Sequence, residues 1–296
     1  MKKIHPTPER TFKLTKAGFS AHSLNFSLAQ GATCEAPCDK FRRVAFTLAE
    51  VLITLGIIGV VAAFTLPTVI QSYQEKVTVT RLEKTYSSLS QAFEQAINNN
   101  GTVDNWCDNE DLSNNYKICS NKIAEKLKPY LKIIKTCQVC QQGCFGNEYK
   151  FLYSNGWAYY NSNAQQFVVA DGITVTFNAE NGDRYENLWC QVNKNETNSY
   201  WRYVGNCGEV FVDINGSKAP NIISKDLFYF RIYKDGIAAS GLPADTVWVT
   251  NFESICLGKQ LHKVDTCSGW ILVNKNMDYL HCKDLSWTGK KSCKEK

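Results

Sequence analysis

Histidine is scarce in this chain: there are four in 296 residues, at His5, His22, His262 and His281. No Gly-x-Ser-x-Gly, His-Glu-x-x-His, Walker A or dinucleotide fingerprint occurs. The catalytic constellations those motifs mark are therefore missing, and the chain reads as a non-enzyme. His262 and His281 stand among the last cysteines and read as surface residues. Methionine is scarcer still, at Met1 and Met277 only, so no alternative Met start lies near the first. Most of the chain also lacks net charge. Of 33 Lys/Arg and 28 Asp/Glu, residues 1–45 hold eight and three, which leaves 25 of each sign beyond them. A neutral body of that size argues against a broad electrostatic footprint for nucleic acid, and none is indicated as a partner.

Cysteine, by contrast, is abundant, with 13 in all. Cys34 and Cys38 come early. The other eleven run from Cys107 to Cys293, and all of them follow a long apolar run. Such a distribution implies an oxidising compartment and several disulfides. Sequence neighbours such as Cys190–Cys207, Cys256–Cys267 and Cys282–Cys293 are short loops to close, although connectivity stays open. An odd number leaves at least one thiol free or paired with another chain. Cys137-x-x-Cys140-x-x-x-Cys144 has thiolates at metal-like spacing. It lacks a second Cys-x-x-Cys or an adjacent His, so disulfides are the better reading. Aromatic content of 12% and charged content of 21% predict a folded body.

From Val51 to Ile70 there are twenty residues without a charge. As a helix they rise about 30 Å, the thickness of a bilayer core. Lys40, Arg42 and Arg43 precede the run, so its N-terminal side is expected in the cytoplasm and the rest exported. A plain signal anchor, a cleaved signal peptide or a twin-arginine signal are the simpler readings. The run is too long for a signal h-region, and no small-residue cleavage site follows it closely. Glu50 is the anomaly: a carboxylate at the start of a spanning helix is costly unless paired or protonated. Nothing basic lies one turn away. An α-amino group freed by cleavage before Phe46, on this or a neighbouring copy, is the candidate partner.

These residues carry a resemblance. The stretch AFTLAEVLITLGIIGVVAAFTLP, preceded by basic residues, resembles the prepilin N-terminal motif of type IV pilins and type II secretion pseudopilins. It covers about residues 42–70 closely, and the helical pattern to about Asn98. The resemblance implies that a membrane prepilin peptidase cuts the Ala45–Phe46 bond on the cytoplasmic side. Phe46 would then be N-methylated. Glu50 would be the family's glutamate, which neutralises the amino terminus of an adjacent subunit, and Pro67 would mark a bend or melted stretch. Alanine stands at 45 where the family usually has glycine. By the same resemblance the partners would be other pilin-like subunits, an inner-membrane assembly platform and motor, and membrane lipid. The function implied is a structural, minor subunit of a pilus-like or secretion pseudopilus filament. An anchored binding module, adhesin or cargo receptor, is the alternative. Its candidate surface is Trp157, Tyr159 and Tyr160 with Trp189, Tyr200 and Trp201, which otherwise read as sheet core and cross-strand pairs.

Beyond Ile70 the run turns amphipathic. Apolar residues recur at Val69, Tyr73, Val77, Leu82, Tyr86, Leu89, Phe93 and Ile97, mostly at helical steps. A helix from about Thr47 to Asn98 would be roughly 75 Å long. The predicted fold class is α+β: a long helix packed by its distal half on an antiparallel sheet. The segments are a cleaved leader 1–45, a transmembrane and assembly helix 46–70, its amphipathic continuation 71–98, a Cys-containing insertion 99–148, a sheet 149–235 and a Cys-rich tail 236–296. The insertion is expected to hold a helix from Ile118 to Leu131. The sheet's strands are expected at 150–154, 157–161, 166–170, 174–178, 210–213 and 227–233. Asn155-Gly156, Asp171-Gly172, Asn181-Gly182 and Asn215-Gly216 read as hairpin turns. The tail reads as a disulfide-stapled extension, not an independent domain. Asp213, Asn215 and Asp226 offer hard oxygens in a segment where some pseudopilins bind calcium. The alternative is a polar turn bonded to its own backbone. Otherwise no cofactor is indicated.

Overall fold

A computed structural model describes residues 47–108, 116–137, 144–153, 157–159, 164–179, 190, 206–242, 252–258 and 267–295. Ala45 and Phe46, Cys34, Cys38 and Cys140, His262, the turns at 155–156 and 181–182, and Tyr160, Trp189, Tyr200 and Trp201 lie outside the described residues. The chain divides into two units, Met1–Leu55 and Gly56–Lys296.

Helix α1 runs from Leu48 to Asn100 with Pro67 inside it. In the larger unit its character changes along the axis. Val69 and Tyr73 are exposed, and burial begins at Val79, continuing through Leu82, Leu89, Ala92, Phe93 and Ala96. The apolar stripe read from Val69 onward thus meets the domain only from about Val79. Gly101, at φ 76°, follows the helix with its N–H on the Ile97 carbonyl. That left-handed stop is what the Asn-Asn-Asn-Gly run predicts.

Six antiparallel strands form the sheet in the order β1-β4-β5-β6-β7-β8. They are β1 (Ile133–Cys137), β4 (Gln166–Val169), β5 (Thr174–Ala179), β6 (Asn206–Asp213), β7 (Leu227–Tyr233) and β8 (Gly236–Ala239). A separate ribbon pairs β2 (Glu148–Lys150) with β3 (Trp157–Tyr159). The two edge strands, β1 and β8, fall in the segments read as insertion and tail. Neither alternates polar and apolar residues: β1 is Ile-Ile-Lys-Thr-Cys, and β8 is Gly-Ile-Ala-Ala. Each is a strand because its neighbour supplies the ladder.

Turn chemistry explains the central hairpins. Asp171 and Gly172 both take positive φ, 69° and 74°, the primed geometry that suits strand twist. Asn215-Gly216, in contrast, opens a long connection, because Asp213 pairs with Leu227 and residues 214–226 lie between. Gly208 sits at an irregularity in β6 with φ 156°, and a Cβ there would overlap the Asn178 carbonyl oxygen of the neighbouring strand. Gly208→Ala is therefore expected to destabilise the sheet by about 1–3 kcal/mol, read as a lower urea midpoint. An unchanged midpoint would mean the bulge relaxes freely.

The alternating residues of the strands bury both faces. Phe167, Phe177, Val210, Val212, Phe228, Phe230 and Ile232 join α1 and α2 (Tyr116–Leu127) in the main core. Phe93 sits 6.2 Å from Phe177, and Tyr86 5.2 Å from Phe230. Helix α2 stops at Leu127 rather than Leu131, where Pro129 turns the chain into a short 3-10 turn. On the opposite face Phe145, Tyr149, Phe211, Leu227 and Tyr229 form a second cluster. The tail contributes α3 (Phe252–Cys256) and α4 (Ser268–Asn274). Trp270 is fully buried there and stacks on Phe252 at 3.9 Å. It shares the main core with α1 and the sheet. Ser268 donates to the Tyr229 carbonyl at 2.7 Å, and Tyr279 to the Ser224 carbonyl at 2.6 Å, so the tail is bonded to β7 and its approach loop.

Candidate functional site

At the start of α1, Thr47 and Glu50 satisfy each other. The Glu50 carboxylate accepts from the Thr47 N–H and hydroxyl, both at 2.8 Å, and Thr47 Oγ1 accepts from the Glu50 N–H at 3.2 Å. This is a capping box, which covers backbone donors that no earlier turn can reach. The signal, Thr-x-x-Glu before an apolar run, stands in the sequence as Thr47-Leu-Ala-Glu50. The Glu50 partner expected from sequence, an amino group at Phe46, lies outside the described residues. Glu50 thus has a local structural role.

Among the described residues one helix, α1, is long and apolar enough to cross a membrane, and none of its apolar window is buried. Leu52, Ile53, Ile57, Ile58, Phe64 and Ile70 are each more than half exposed. Aliphatic side chains cover every side of the helix, so no single face meets a partner domain. Pro67 has no N–H for the Ala63 carbonyl, yet the helix continues through it. Thr65 and Thr68 on either side bond back to the Val61 and Thr65 carbonyls at 3.0 and 2.9 Å. Side-chain bonding of that kind is how helices in lipid tolerate a proline.

The structure brings Asp213, Asn215 and Asp226 together at the base of the 214–226 connection. The aspartate oxygens accept from donors of the protein, whereas Asn215 Oδ1 is buried without a hydrogen-bond partner. Asp213 accepts from the Asn215 N–H at 3.0 Å and from the Tyr149 hydroxyl, which itself accepts from the Gly146 N–H at 2.9 Å. Asp226 accepts from the N–H groups of Asn221 and Ile222 at 2.7 and 2.6 Å. Burial pushes the Asp213 carboxyl up to about 8, against its hydrogen bonds and with the Asp226 charge adding to the rise. Asp226 is raised for the same first reason. The aspartates thus make the backbone bonds of a polar turn, while a calcium ion would need their oxygens turned to it. Among the described residues no group of three or more His, Cys, Asp or Glu is placed to hold a metal ion.

Five cysteine pairs are disulfides: Cys107–Cys119, Cys137–Cys144, Cys190–Cys207, Cys256–Cys267 and Cys282–Cys293. The last three are the short loops the spacing singles out. Cys137 and Cys144 bond to each other, which removes two thiolates from the metal-like cluster. His281 is half-exposed and binds Glu75 of α1 at 3.0 Å. Trp157 and Tyr159 fall on β3.

A single candidate spanning helix whose distal half enters a disulfide-stapled α+β domain defines the class of protein. Residues 68–241 match the model of a family of unknown function (DUF6613), and the chain belongs to that family. The matched region begins one residue past Pro67 and ends just after β8, so it holds the distal half of α1 and the sheet and leaves out most of the apolar stretch and the tail. No curated protein and no solved structure gives a significant match.

Proposed function

We propose that this chain is a structural subunit of a pilin-like filament, held in a membrane by the first half of α1 before assembly. The observation that carries the reading is the apolar stretch from Val51 to Ile70, exposed on all sides and continuous with a helix that enters a folded domain. Such a surface requires lipid or other copies of itself. Transfer from lipid to a bundle of equivalent helices keeps it out of water at both stages. The disulfides fit a domain kept on the oxidising side. Glu50, beside the resemblance to the prepilin motif, supplies the charge that would meet a neighbour's amino terminus in a low-dielectric core.

Intact-mass and N-terminal peptide analysis of the membrane-extracted protein tests this. The expected terminus is N-methyl Phe46; an intact Met1, or a cut elsewhere, would leave a plain anchor. Glu50→Ala and Glu50→Gln then separate the two roles of the side chain. Glutamine keeps the capping box and removes the charge. Both variants are expected to be cleaved yet to drop out of sheared filaments. If Glu50→Gln assembles normally, capping and not charge pairing is the role.

A further inference from the structure

Two clefts flank α1 just beyond its apolar stretch, both in the unit that begins at Gly56. One, of about 560 Å³, reaches from Thr68 and Ser72 across Lys76 to Lys294 of the tail. The other, of about 300 Å³, reaches from Gln71 to the 214–226 connection, where Lys225 lines it. Charge is treated unequally in them. The acids are engaged within the protein: Glu75 holds His281 at 3.0 Å, Asp278 accepts from Ser292 Oγ and the Cys293 N–H at 2.8 Å each, and Asp226 accepts two backbone N–H groups. Lys275 is likewise paired with Glu83. Lys76, Lys225 and Lys294 make no ion pair among the described residues. Three ammonium groups without an ion-pair partner among the described residues therefore line the two clefts, beside the acids Glu75, Asp278 and Asp226.

Their height matters as much as their sign. Six residues from Ile70 to Lys76 rise about 9 Å. The polar layer of a bilayer adds roughly 5–8 Å beyond the hydrocarbon on each side. A lysine at that level, on a four-carbon stem, reaches down to phosphate oxygens. Ser72, two residues past Ile70, puts a hydroxyl in the first cleft at the depth of the glycerol ester groups, whereas the Thr68 hydroxyl and the Gln71 amide donate to the Thr65 carbonyl and to Glu75.

We propose that these clefts seat the headgroups of anionic phospholipids in the leaflet from which α1 emerges, with Lys76, Lys225 and Lys294 as the phosphate contacts. The inference rests on the membrane reading above and deepens it. The bound headgroups hold the domain against the bilayer surface while the chain waits as an anchored monomer. They must be shed when the chain leaves the membrane, which makes extraction sensitive to lipid charge. An acidic surface on a second copy would meet the same lysines, but it would have no reason to sit at the depth of the ester groups.

The test uses the full chain in nanodiscs of phosphatidylcholine alone or of phosphatidylcholine with phosphatidylglycerol. The readout is the lipid retained on the protein by native mass spectrometry. Wild type is expected to retain phosphatidylglycerol over phosphatidylcholine by about tenfold or more, since each lysine near an anionic surface contributes a factor of about five. The triple variant Lys76→Gln, Lys225→Gln, Lys294→Gln is expected to lose most of that preference while keeping its far-ultraviolet spectrum. Equal retention of both lipids by wild type, or an unchanged preference in the triple variant, overturns the proposal. So do lysine cross-links from Lys294 to a second copy in phosphatidylcholine nanodiscs. Flotation of wild type with neutral vesicles at high salt keeps the two readings apart. A chain that floats but shows no headgroup preference sinks this inference alone, and a chain that does not float sinks the membrane reading.

Discussion

Replacing Phe93 by alanine is expected to lower the stability of the domain by about 3–5 kcal/mol, the range for truncating a fully buried aromatic side chain. Phe93 is fully buried, stacks toward Trp106 at 6.3 Å and meets the edge of Phe177 at 6.2 Å. It is the point where α1, the 101–106 turn and β5 come together, so the space left by the ring cannot close without moving one of them. Phe64→Ala is the control on the same helix. Phe64 is 77% exposed, and its loss is expected to leave the unfolding midpoint of the domain unchanged. Denaturant melts followed by tryptophan fluorescence check both. Equal effects from the two substitutions would contradict the division of α1 into a packed half and an unpartnered half.

The second large effect is a loss of stability with rising pH. Asp213 is buried, and desolvation is the main reason its carboxyl is pushed up to about 8. In the unfolded chain an aspartate titrates near its ordinary value of about 3.9. Between those limits the folded state holds a proton that the unfolded state has lost. The stabilisation is therefore complete below about pH 4 and is lost progressively as the pH rises toward 8, with each pH unit worth about 1.4 kcal/mol at most. Asp226, also raised by burial, adds to the same trend. Asp213→Asn keeps an Oδ1 acceptor for the Asn215 N–H, replaces the oxygen that accepts from the Tyr149 hydroxyl with an NH2 donor, and removes the titrating proton. It is expected to flatten most of the slope, measured as urea midpoints across the acid-to-neutral range. A wild type whose midpoint rises over that range would show that Asp213 is ionised in the fold.

Much of this protein is legible in local pattern. Val51–Ile70 specifies an apolar helix because it carries no charge over twenty residues and its three threonine hydroxyls bond to the helix's own carbonyls. Leu82, Tyr86, Leu89, Phe93 and Ile97 specify a face to bury because their spacing brings them to one side of the helix. Asp171-Gly172 specifies a hairpin because those residues accept positive φ. The short Cys loops at 190–207, 256–267 and 282–293 close as their spacing suggests. Thr47-x-x-Glu50 likewise specifies a capping box, because the two residues reach each other within one turn.

Other features follow only from long-range packing. Strands β1 and β8 have little strand pattern, and they exist because β4 and β7 present unpaired backbone to them. Asn215-Gly216 has the residues of a hairpin turn but opens a connection, since the register of β6 on β7 places Asp213 opposite Leu227. The tail carries no periodicity that announces Trp270 as core, yet the ring is buried against Phe252 and Trp287. The same holds for Asp213. As a residue in a polar loop it looks like a ligand for a cation; placed under Tyr149 and beside Asp226 it is a buried, internally bonded carboxyl whose pKa is raised by desolvation. Hydrophobic period and turn chemistry act over a few residues and can be read along the chain. Burial, strand pairing and the ionisation of a carboxyl depend on which distant residues remove it from water, and the folded arrangement alone decides that.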